Sequence, residues 1–141
     1  MKKKTATGLE PEGVRQRLTE LRLALLKLHK ALVDSERVGY EKTIGKIQSP
    51  NHFLQLLTND PWFAWLHPLS QLIVAMDEAL DAEEPLTAAK VDALANQSKL
   101  LLVVSENSDG FSGHYHEAMQ RDPDVVFAHA DVVKLHRPRK T

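Results

Sequence analysis

Apolar residues recur along this chain in a helical rhythm. Val14, Leu18, Leu21, Leu25, Leu28 and Leu32 follow alternating steps of four and three. That spacing predicts a long first helix, over 12–46, with a coiled-coil-like seam. The step then changes to fours through Glu36, Tyr40 and Ile44, with Gly39 at the change, as in a helix that shifts register against its neighbours. At 100° per residue, Leu23, Leu26 and Val33 lie away from the seam, among Arg15, Arg22 and Lys30. The first helix thus carries two apolar arcs. The second arc packs either within the chain or against another copy of it.

Downstream, an acid or serine sits directly before proline at Ser49-Pro50, Asp60-Pro61, Glu84-Pro85 and Asp122-Pro123, with Glu10-Pro11 a weaker fifth. Ser or Asp at the cap accepts a bond from a free helix N–H, and proline in the first turn forfeits no helical bond. Glu is a poor cap, so near Pro85 the cap falls to Thr87. These signals predict helices over 50–58, 61–81, 86–104, 111–121 and 123–136. In the 61–81 segment Trp62, Trp65, Leu66, Leu69, Leu72, Ile73, Met76 and Leu80 share one face, and Pro68 should kink or split it near Trp65. The last helix carries Val126, Phe127, Val133 and Leu135, and residues 105–110 read as a loop. No alternating strand pattern occurs. The expected fold is all-α, an antiparallel helical bundle of about four main helices with one or two short ones. The bundle should span 13–136, between disordered basic tails at 1–12 and 137–141.

Composition narrows the function. The 141 residues contain no cysteine, which excludes thiolate chemistry and disulfides. No apolar run is long enough for a membrane span. The lysines at 2–4 are followed by a polar, Gly- and Pro-broken stretch, so they do not form a secretory signal, and a cytoplasmic protein is expected. The net charge of −1 conceals strong segregation. Residues 1–46 hold eleven bases and six acids, a net +5; residues 47–133 hold three bases and thirteen acids, a net −10; the last eight residues add +4. Nucleic-acid binding through the basic helix and tail is therefore a lesser alternative, because the acidic middle repels phosphate. The favoured reading places the basic helix against that acidic middle or against another protein.

Seven histidines raise the question of a metal. None has a carboxylate three residues before it, and no His-Glu-x-x-His occurs. The remaining constellation is long-range: His29 and Glu36 on the first helix with His116 and His129 on later ones. If those helices converge, nitrogen and carboxylate ligands would suit zinc, iron or manganese. The preferred reading treats them as boundary histidines, with no cofactor. No nucleophile elbow, phosphate loop or dinucleotide fingerprint is present, and the expectation is of a non-enzymatic protein. Phe63 lies about 100° off the apolar face of its helix. It is read either as packing on the short preceding helix or as an exposed anchor. With Leu23, Leu26 and Val33 it forms the candidate interface, the partner being the protein itself, as a homodimer or larger, or another protein.

The stretch Ser49-Pro50, Phe53-Leu54-Gln55-Leu56-Leu57, Asp60-Pro61-Trp62-Phe63-Ala64-Trp65-Leu66 and Pro68-Leu69-Ser70 resembles a segment of an uncharacterised family of small bacterial helical proteins. Arg37, Tyr40-Glu41 and the run from Gln120 to Asp124 extend the resemblance over most of 20–136. It implies a bacterial, cytoplasmic helical domain and assigns no chemistry to any residue.

Overall fold

In the computed structural model, residues 10–103 and 110–136 are described; most of the expected tails and the 105–110 loop lie outside them. The described residues form a bundle of seven α-helices without strands. They are α1 (Val14–Thr43), α2 (Pro50–Asn59), α3 (Pro61–Ala64), α4 (His67–Asp81), α5 (Ala88–Leu101), α6 (Phe111–Arg121) and α7 (Pro123–His136). The proline-led starts are as the sequence dictates. Ser49 Oγ accepts from His52 N and Asp60 from Trp62 N, with Pro50 and Pro61 just inside their helices. Asp122 Oδ1 accepts from Asp124 N before α7. Thr87, rather than Glu84, caps α5 by accepting from Lys90 N.

Pro68 divides the 61–81 segment. It lies in the first turn of α4, and Trp65 and Leu66 separate α4 from the single turn of α3. This break decides between the two readings of Phe63, in favour of packing on the short preceding helix, where Phe53 lies. A helical wheel drawn through 61–81 buries both tryptophans and leaves Phe63 outside. In the structure Phe63 has 0% exposure, whereas Trp62 and Trp65 are half-buried. Once the backbone breaks, the face of α4 no longer fixes the face of α3. Phe63 settles between Tyr40 and Phe53, with ring centroids 5.6 and 5.7 Å away. Trp62 stands edge-on to Tyr40, and Gly39 of α1 gives it room: a Cβ there would lie 3.4 Å from the indole.

α1 is the central column and touches α3, α4, α5, α6 and α7. Its seam leucines, Leu18, Leu21, Leu25, Leu28 and Leu32, are all fully buried. At about 2 kcal/mol per buried leucine, this row is the main apolar contribution of the helix. Ile44 does not continue it: α1 has ended, and Ile44 is exposed. A polar stripe at seven-residue intervals runs beside the leucines. Arg15 Nη1 donates to the Leu80 carbonyl (2.8 Å), Arg22 pairs with Asp77, and His29 Nε2 meets Ser70 Oγ at 2.9 Å. Partners that descend 80, 77, 70 as α1 ascends 15, 22, 29 show that α4 runs opposite to α1. The next position in the stripe, Glu36, takes Arg121 instead, at the end of α6.

α7 buries a face that the apolar residues named from the sequence do not mark. Val125 and Val132 are buried, while Val126 and Phe127 are exposed and Val133 and Leu135 only partly covered. Aliphatic residues fill 125–126 and 132–133, so two registers were compatible with the pattern; packing against α1 selects the one through Val125 and Val132. At the other end of the chain, Glu10 is not part of a loose tail. It takes both Arg15 Nε and Nη2 (2.8 and 2.9 Å) and the backbone N–H of Leu86. No helix among the described residues is long and apolar enough to cross a membrane.

Candidate functional site

Three of the four residues considered for a metal are engaged by other partners. His29 donates from Nε2 to Ser70 Oγ, whose own proton reaches the Leu66 carbonyl. Glu36, 9% exposed, accepts from Arg121 Nη2 at 2.8 Å, and Arg121 Nε donates to Ser35 Oγ at 3.0 Å. His129 Nδ1 lies 2.6 Å from the Tyr115 hydroxyl, and His116 sits half-buried on α6. Among the described residues no three His, Asp or Glu side chains gather at ligand spacing.

The other histidines are likewise structural in their contacts. His52 Nδ1 accepts from Gln48 N, His67 Nε2 donates to the Leu57 carbonyl, and His114 stacks on Trp65 with planes 17° apart. His136 Nε2 shares a 2.7 Å hydrogen bond with Ser98 Oγ. A serine and a histidine so placed are two parts of a nucleophilic dyad. Ser98, however, has 0% exposure, and a nucleophile must meet its substrate. The pair therefore joins α5 to α7, as Tyr115–His129 joins α6 to α7.

Burial sets the proton affinities here. It lowers the pKa of His29, of His129 and of His136, and for His136 the nearby Lys99 cation, and His129 when it is protonated, lower it further. Burial raises the pKa of Tyr115 well above the usual phenol range. The phenol therefore stays neutral, and one proton is shared between its oxygen and His129 Nδ1, donated by whichever partner the imidazole tautomer dictates.

Of the four candidate interface residues, Phe63 and Val33 are core residues and Leu26 packs against the core. Leu23 remains 49% exposed. It lines an open groove of about 350 Å³ between α1 and α7. Ala24 and Ala128 leave the space, and Leu135 lines it as well. Glu20 and Lys27 come to it from α1, Asp131 and Lys134 from α7. Beside it, on α7, stands Phe127, 68% exposed.

No family model, curated protein or solved structure matches the chain. The site is therefore judged on its own geometry. Sequence reasoning counted Phe127 among the apolar residues of the last helix and gave it no role at the surface. The signal was present in three consecutive apolar residues, Val125-Val126-Phe127, which one helix face cannot all bury.

Proposed function

We propose that the protein is a helical protein–protein interaction module of the bacterial cytoplasm, non-enzymatic, that associates with copies of itself through α1. The observation that carries this reading is Leu23. It stands half exposed on the helix that organises the bundle, at the mouth of an apolar-walled groove. Exposed apolar surface rimmed by polar groups is characteristic of association sites. Two acids and two bases line the groove, so a second copy meets no net charge there. A surface that binds itself across a two-fold axis must be self-complementary in this way.

The test is light scattering coupled to size exclusion, over a range of protein concentrations. The wild-type chain is expected to be dimeric or larger, and Leu23→Asp is expected to shift it to monomer with an unchanged helical circular dichroism spectrum. A wild-type chain that stays monomeric at the highest concentration attainable would sink the proposal.

A further inference from the structure

We infer that Phe127 anchors this self-association by seating in the α1/α7 groove of a second copy, across a two-fold axis that also brings Glu20 of each copy toward Lys27 of the other. The inference rests on the self-association reading and names a residue outside α1 as its principal contact.

The groove can take an aromatic ring. An engineered apolar cavity of about 150 Å³ holds benzene, and this groove offers about 350 Å³. Its depth comes from sequence: Ala24 and Ala128 stand where larger residues would fill the space between α1 and α7. Phe127 cannot enter its own groove, because a neighbour of Ala128 on the same helix points about 100° away from it. It is nevertheless the most exposed of the large apolar side chains described. Aromatic anchors that fill a partner's pocket dominate interface energetics.

The charges fix the arrangement. Glu20 and Lys27 are seven residues apart on one face of α1, on either side of Leu23 and Ala24. A two-fold axis crossing α1 near Ala24 lays the α1 of a second copy antiparallel upon it, with acid toward base twice over. α7 runs back along α1: Arg121, just before it, meets Ser35 and Glu36, while Leu135 shares the groove with Glu20. The Phe127 of each copy therefore stands near its own Lys27 end. The same rotation carries it toward the Glu20–Leu135 end of the opposite groove. A parallel arrangement would bring Glu20 to Glu20 and Lys27 to Lys27, which like-charge repulsion disfavours.

The experiment is sedimentation equilibrium on the full chain and its variants, with circular dichroism to establish that each is folded. Phe127→Ser should weaken the dimer at least about tenfold, as loss of a hot spot does, and Ala128→Leu, which fills the groove, should do the same. Because Ala128 also leans on the core, a second set of variants leaves packing untouched. Glu20→Lys and Lys27→Glu should each weaken association, and the double exchange should restore it. If the wild type is monomeric, both the self-association reading and this inference fall. If the wild type is dimeric and Phe127→Ser and Ala128→Leu bind as tightly as it does, the inference falls while self-association stands. If the double exchange fails to restore what each single exchange loses, the antiparallel arrangement is overturned.

Discussion

Three histidines, His29, His129 and His136, each bridge two helices through a hydroxyl partner rather than a carboxylate. No ion pair among the described residues includes a histidine. A proton added to any of them enters a partly buried site, and at His136 it also meets Lys99 and His129. All three folded pKa values are lowered from about 6.5. Below that value the unfolded chain binds more protons than the folded one, and stability then rises with pH. The contribution is therefore fully present above about pH 6.5 and is lost as pH falls through the lowered folded values. Urea denaturation at pH 7.5 and pH 5 should show the lower midpoint at pH 5. Combining His129→Gln with His136→Asn, which cannot take up charge, should shrink that difference; an unchanged difference would clear α7 of the effect. Sequence alone located these histidines but not their partners. Ser70, Ser98 and Tyr115 are 41, 38 and 14 residues distant, and no local spacing encodes such pairings.

At the scale of elements, the two faces of α1 should respond differently to the same truncation. Leu28→Ala empties a fully buried position and should cost about 3 kcal/mol by urea denaturation at a concentration where the chain is monomeric. Leu23→Ala, on the open face, should stay within about 0.5 kcal/mol under the same conditions. Comparable losses would mean that the seam is not the core it looks to be. This contrast was legible in the sequence, since a four-three rhythm sustained over five leucines has one solution in a helix. Helix starts were legible too, because a cap and a proline act through atoms one to three residues away. Phe63 and α7 were not. The face of a one-turn helix after a break depends on what it docks against. A run of apolar residues longer than one face leaves the choice of register to the neighbouring helix.

Taken as one molecule, the charge pattern of the chain is answered internally in part. Basic α1 reaches the acidic middle through Arg17–Asp92 and Arg22–Asp77, and Glu36 draws Arg121 back to α1. These pairs are mostly solvent-facing, so each contributes roughly 0.2–1 kcal/mol and is screened by salt. Raising sodium chloride from 0.05 to 0.5 M should lower unfolding stability by on the order of 1 kcal/mol. A midpoint that does not move would show that the pairs contribute nothing measurable to stability. Even then they have a role that stability does not measure. A row of leucines is nearly indifferent to sliding: shifted by one turn, α4 would still meet leucine. Arg15, Arg22 and His29 are not indifferent, for a carbonyl, a carboxylate and a hydroxyl wait at three different heights on α4 or its end. A one-turn slip forfeits all three together. The leucines decide that the helices adhere; this stripe works like the wards of a lock and admits one alignment among several that grease alone would tolerate.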